Sequence, residues 1–246
     1  TVLALSVSLL AGCGSTAASP VSSAASTAAE STTSSVVSET TSAAADENAA
    51  AAVQLLNDLT GSYQELWPVI LADEYQQTWL DDCTALVGEE NAEAAFEKLS
   101  SMVTSDVYGE DAVEAYANGG GAYFCGFTND LATLTFDGET STISGTDKDG
   151  NVLFSHTYHY IGMEPVHGLY EFESDDADSG EFTYFFLAPD TSAETYHIEF
   201  RYGSDADALS QYDAGDYAYW VASGISTDCD QTMIDNCIEL FCTENL

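Results

Sequence analysis

Between Asn48 and about Val103, apolar residues recur at spacings of three and four: Val53, Leu55, Leu56 and Leu59, then Leu80, Cys83 and Leu86, then Ala92, Ala95, Phe96, Leu99 and Met102. That period lays a single apolar stripe along a helix, so this stretch predicts helices, punctuated at Gly61, Pro68 and Gly88. From Gly119 onward the period drops to two, as in Thr133-Leu134-Thr135-Phe136, Thr157-Tyr158-His159-Tyr160 and Tyr170-Glu171-Phe172-Glu173. Alternation of this kind predicts antiparallel strands. Asp137-Gly138, Asp149-Gly150 and Ser179-Gly180 stand between the strands as hairpin connections, so consecutive strands are expected to be neighbours. Such a sheet closes most simply into a barrel or half-barrel, which removes exposed strand edges.

After a strand from Tyr196 to Tyr202, the pattern predicts a short helix over Asp205 to Tyr212 and an extended run from Tyr217 to Val221. A last helix is expected to begin at Ser226-Thr227-Asp228, with Met233, Ile234, Cys237, Leu240 and Phe241 as its apolar stripe.

The other end of the chain has a different character. Thr1 to Leu10 is an apolar run of signal-peptide length, too short for a permanent membrane span. Leu10-Ala11-Gly12-Cys13 follows as a lipobox, in which the cysteine takes a diacylglycerol and residues 1–12 are removed. No initiator Met or basic region precedes Thr1, so the signal is expected to begin a few residues upstream. Residues 13–47 are almost wholly Ser, Thr, Ala and Val with no aromatic residue, too little apolar area to offset the entropy of ordering. They read as a disordered linker to a domain over 48–246. A diacylated cysteine supplies two chains, enough for stable attachment. The expected location is therefore the cell membrane, lipid-anchored on the extracytoplasmic face.

The chain has 246 residues, with 42 acids against three bases. Glu30, Glu39, Asp46 and Glu47 lie in the linker, which leaves 38 acids against three bases and a domain charge near −35. That excludes nucleic acid and anionic partners and makes cations the natural ligands. Solubility in an acidic or salty habitat accounts for the same charge equally well. Export places Cys83, Cys125, Cys229, Cys237 and Cys242 where disulfides persist. Five is odd, so at most two bridges form within the domain, and three cysteines near the end suggest a C-terminal segment stapled to the body, through Cys83 or Cys125. No CxxC spacing occurs, which argues against a thiolate zinc site.

Catalytic signatures are missing: there is no Gly-x-Ser-x-Gly elbow, no HExxH and no phosphate-cradling glycine loop, and the chain is expected not to be an enzyme. Asp147 to Asn151 and Asp176 to Gly180 begin like calcium loops but lack the glutamate at position twelve, so hairpin turns explain them.

Several segments carry a family resemblance. Leu59-Thr60-Gly61-Ser62-Tyr63-Gln64-Glu65-Leu66-Trp67-Pro68 resembles the opening motif of the ZinT family of bacterial zinc-binding proteins, also found as the C-terminal domain of AdcA-type zinc lipoproteins. Asp176 to Tyr184, Ala193 to Ile198 and Gly203-Ser204 through Leu209 are similar to that family's "DADAGQFKY", "AEHFHI" and "GxSQEAL" stretches, and Tyr158 to Gly162 to its "YKYVG". The resemblance implies a calycin, or lipocalin-like, barrel preceded by N-terminal helices and closed by a C-terminal helix. It also implies binding of zinc, or cadmium, through three histidines near the barrel mouth. Here the sequence departs from the family. Of the H-x-H pair only His197 is present, Thr195 replaces its partner, and the third histidine's loop has shrunk to Leu187-Ala188-Pro189-Asp190.

His197 is therefore the central candidate ligand, expected to point into the barrel if it binds metal and outward if it is an ordinary surface histidine, with Asp190, Glu194 and His159 as helpers. His156 and His159, three apart on a strand, fall on opposite faces, and His167 is a weaker candidate. One imidazole with carboxylates favours zinc less than three imidazoles do. The expected function is an extracytoplasmic metal-binding lipoprotein that passes zinc to an ABC importer or buffers it. The alternative is a barrel that has lost the site and binds a small molecule or surface protein without metal.

Overall fold

A computed structural model describes residues 47–188 and 197–246. Cys13, the signal segment and the linker up to residue 46 lie outside the described residues, as do Asp190 and Glu194.

Eight strands among the described residues form one closed antiparallel barrel, each paired with its neighbours in sequence and the last with the first. They are β1 (Gly61–Glu65), β2 (Thr133–Asp137), β3 (Thr142–Thr146), β4 (Val152–Met163), β5 (Tyr170–Ser174), β6 (Tyr184–Leu187), β7 (His197–Gly203) and β8 (Ala222–Ser226). An up-and-down barrel of eight strands is the calycin architecture expected from the resemblance. The helices are α1 (47–58), α2 (Leu66–Ile70), α3 (Gln76–Val87), α4 (Ala92–Met102), α5 (Glu110–Ala117), α6 (Ala206–Leu209) and α7 (Gln231–Asn245). None among the described residues is long and apolar enough to cross a membrane.

Alternation along each strand sorts side chains into two cores. Leu134, Phe136, Phe172, Phe185, Ile198, Phe200, Tyr202 and Trp220 belong to the first, which fills the barrel and is capped by Leu55, Leu56 and Leu59 of α1 and the turn after it. The aromatic rings stack or meet edge to face, as in Phe185 and Tyr202 at 5.4 Å between centroids. The second core lies outside the wall, where Trp67, Ile70, Trp79, Cys83, Leu99, Ile234, Ile238 and Cys242 from the helices pack around Ile225 of β8.

The structure corrects four local expectations. The helical stretch is interrupted by β1, because Gly61 to Glu65 hydrogen-bonds to β2 on one edge and β8 on the other, a tertiary pairing that overrides the local period. Residues 119–131 form an irregular segment with isolated bridges from Phe124 to Thr104 and Trp220 rather than a strand, and β2 begins only at Thr133. Residues 217–219 form a turn rather than an extended run, and β8 begins at Ala222. The last helix starts at Gln231, because Ser226 is still paired with Tyr63 and Asp230 supplies the cap, its carboxylate accepting from the Met233 N–H at 3.0 Å.

Among the described residues Arg201 is the one buried base, wholly shielded on the outer side of β7. Its guanidinium donates to the carbonyls of Leu209, Gln211 and Tyr217 and lies 4.2 Å from the centre of the Tyr212 ring. A buried charge is costly unless it is hydrogen-bonded; here the two terminal nitrogens are bonded while Nε has no partner, and the bonds hold residues 209–217 against the wall.

Gly138, in the hairpin between β2 and β3, lies directly under α1. A β-carbon there would stand 2.4 Å from Asn57 Cα and 2.6 Å from the Leu56 carbonyl oxygen. Both are backbone atoms that cannot swing aside. Gly138→Ala is expected to destabilise the domain by about 1–3 kcal/mol, read as a lower urea midpoint. An unchanged midpoint would show that α1 is not seated on the hairpin.

Candidate functional site

His197 opens β7 and is paired in register with Ile225. Its neighbours Ile198, Phe200 and Tyr202 point into the filled barrel, so His197 and Glu199 point out, toward the helices, which corrects the expectation that a ligating ring would face the barrel interior. The imidazole lines a cavity of about 40 Å³ between the barrel wall, α2 and α7. Trp67 and Ile70 come from α2, Cys237, Leu240, Phe241 and Glu244 from α7, and Glu199 from β7 itself. Burial pushes the His197 ring down to about 4 from its ordinary 6.5. The ring is therefore neutral at physiological pH, the form in which an imidazole nitrogen can coordinate a metal.

The other sequence candidates lie elsewhere. His159 is exposed on the outer face of β4, its Nδ1 2.8 Å from Asp175 and its Nε2 4.0 Å from Glu173. Register carries His159 across to Glu173, Tyr184 and Gly203. His197 sits six residues before Gly203, roughly 20 Å away along β7 at about 3.3 Å per residue. His159 and His197 thus cannot share an ion, which corrects the expectation that His159 assists. His156 Nδ1 stands 2.7 Å from Asp176, on the face opposite His159. His167 is 3.7 Å from the buried Glu164 carboxylate, whose oxygens also accept the N–H groups of Val166 and His167. Its ring lies 3.8 Å from that of Tyr212. Asp190 and Glu194 lie outside the described residues.

Among the described residues no group of three His, Cys, Asp or Glu side chains converges closely enough to hold a metal. Sequence reasoning passed over Glu199 and Glu244, both lining the cavity. Glu199 was accessible to it, being two residues from His197 on the same face of a strand. Glu244 was not, since only the docking of α7 brings it there.

A second, larger cavity of about 340 Å³ opens beside Trp67, lined by Glu65, Leu71, Val103, Phe124 and Cys125. Glu65 Oε1 accepts the Phe127 N–H there at 2.6 Å, and its carboxylate is held on the cavity wall.

The depressed value of His197 has a consequence for stability. Between about pH 6.5 and 4 the unfolded chain takes up a proton that the folded chain refuses, so stability falls as pH drops through that window. His197→Ala is expected to show a shallower decline than the parent when urea midpoints are compared across the same range. Parallel declines would mean that the ring is not desolvated.

Neither a family model nor a curated protein matches this chain. Two solved structures from Streptococcus pneumoniae are similar to it. The Zn(II)-bound ZinT-like domain of AdcA is 15% identical, with 75% of this chain and 89% of that one covered and a TM-score of 0.47. The Zn(II)-bound AdcA is 13% identical, with 76% of this chain and 35% of that one covered and a TM-score of 0.44.

Proposed function

We propose that the domain binds a divalent cation, zinc foremost, in the cleft between β7 and α7, and carries it as cargo outside the cell membrane. The observation that carries this reading is a neutral imidazole sharing a small cavity with the carboxylates of Glu199 and Glu244. About 40 Å³ suits an ion with its waters and is far below the ~300–1,000 Å³ of organic-ligand pockets. The surrounding charge, near −35 for the domain, concentrates cations at the cleft. His197 supplies the nitrogen ligand. Because His197, Glu199 and Glu244 do not by themselves converge on one point, the ion would rest on His197 with one of these carboxylates, and Asp190 or Glu194, which precede β7 in the sequence, is the oxygen donor proposed to complete the set. One nitrogen among oxygens binds zinc more weakly than three imidazoles, so affinity near micromolar is expected. Such a site fits reversible carriage, with release to an importer or buffering at the surface.

Calorimetric titration of the chelator-stripped domain with zinc tests this. Binding near micromolar that is lost in His197→Ala supports the reading, and no heat from either protein overturns it. A metal-free reading draws on the 340 Å³ groove beside Trp67, whose Leu71, Val103 and Phe124 lining suits a small apolar ligand. That reading would stand if zinc gave no heat.

Anchoring is the second part of the proposal. Cys13 follows a lipobox and an apolar leader, and a Ser/Thr/Ala-rich linker separates it from the barrel. Cys13→Ser in the exported chain is expected to abolish palmitate incorporation and move the protein from the membrane to the soluble fraction. Unchanged labelling and fractionation would remove the anchor from the account.

A further inference from the structure

The five cysteines among the described residues are not joined in disulfides, and two of them meet. Cys83 in the middle of α3 and Cys242 near the end of α7 are both fully buried in the same cluster, with their thiols close enough to interact. The two helices pack against each other around this contact, Trp79 of α3 standing 6.0 Å from Phe241 of α7 at 81°. Cys125, also buried, contacts Trp67 and Ser223 instead of another thiol.

The rim of the same helix pair is electrostatically unfavourable. Asp82 on α3 lies near Glu239 and Asp235 on α7, and burial first, then repulsion from Glu239, Asp235 and the neighbouring Asp81, raises the Asp82 carboxyl. The chain's three bases are Lys98, Lys148 and Arg201, none of them on either helix. A helix held by apolar contacts against like charges is prone to local opening.

We propose that Cys83 and Cys242 form an intramolecular disulfide that fastens α7 to α3 when the chain folds in an oxidising compartment. The oxidant is a disulfide of the thiol–disulfide exchange class, either a small-molecule disulfide or an oxidoreductase. One cysteine thiolate attacks it, giving a mixed disulfide and releasing one thiol. The second cysteine then attacks the mixed disulfide, and the Cys83–Cys242 bond forms as the second thiol leaves. Two electrons pass to the oxidant, and the two cysteine protons end on its two thiols. Burial pushes both cysteine thiols up, which suppresses the attacking thiolate once α7 has docked. Exchange therefore precedes docking, and the finished bond is sheltered from reductant.

The bridge would fix the helix that carries Phe241 and Glu244, one wall of the His197 cleft. Only this last consequence rests on the proposed metal reading, because the bond itself needs no metal.

The test uses the whole chain carrying Cys13→Ser, refolded from denaturant in a glutathione redox buffer and, separately, in dithiothreitol. Mass mapping of unreduced peptides is expected to link the Cys83 peptide to the Cys242 peptide. The oxidised protein is expected to melt about 5–15 °C higher than the reduced one. Cys83→Ser and Cys242→Ser should each abolish that difference, while Cys125→Ser should keep it. Persistence of both thiols after oxidative refolding, or linkage of Cys242 to Cys229 or Cys237, would overturn the proposal. The mapping on the parent chain needs no variant to fold, and a zinc titration of the same oxidised sample succeeds or fails independently of it.

Discussion

Closure of the sheet through β1 is the constraint from which the rest of the molecule follows. Five residues, Gly61 to Glu65, pair with β2 on one side and β8 on the other. Without them β2 and β8 would be bare edges, each a row of unpaired amides and carbonyls. Closure also fixes which face of every strand is inside. Tyr63 turns inward against Phe136 at 5.7 Å, and Leu66, one residue past the strand, starts α2 on the outside. The barrel core and the helical core are the two faces of this same wall.

From that wall the chemistry of His197 follows by parity. Ile198, Phe200 and Tyr202 help fill the barrel, so the residues between them face the helices. The imidazole is desolvated by the docking of α2 and α7 onto the wall, away from any barrel lumen. A cavity made in this way is small, and its polar lining comes from two elements far apart in sequence, β7 and α7. The shape of the cleft depends on how firmly α7 is held, which links it to the contact between Cys83 and Cys242.

Charge acts differently inside and outside. The chain has 42 acids and three bases, and its one arginine is spent on backbone carbonyls rather than on carboxylates. Arg201 gathers residues 209–217 onto β7, and Glu164 gathers the turn at Val166 and His167 with its two oxygens. Both are fully buried, and each organises irregular backbone that the sheet cannot reach. The remaining carboxylates are left mainly to water, to hairpin turns such as that of Asp147, and to helix caps such as Asp230.

Local pattern determined much of this protein. Period-two runs gave β2, β4 and β5 their places, Asp-Gly pairs gave the hairpins between β2 and β4, and apolar stripes gave α3, α4 and α7, because each signal is set by neighbours within a few residues. His197 was legible as a candidate for the same reason, as was Glu199 two positions on. What the sequence left open was everything that needed a partner far along the chain. Whether 61–65 is strand or helix was decided by pairing with β2 and β8. Whether His197 faces lumen or helix was decided by which side of the wall the aromatics filled. That His159 stands far from it was decided by strand register, and that Glu244 and Cys242 reach their partners was decided by the docking of α7. Local periodicity records which face of an element is apolar. Only closure and docking determine what that face meets.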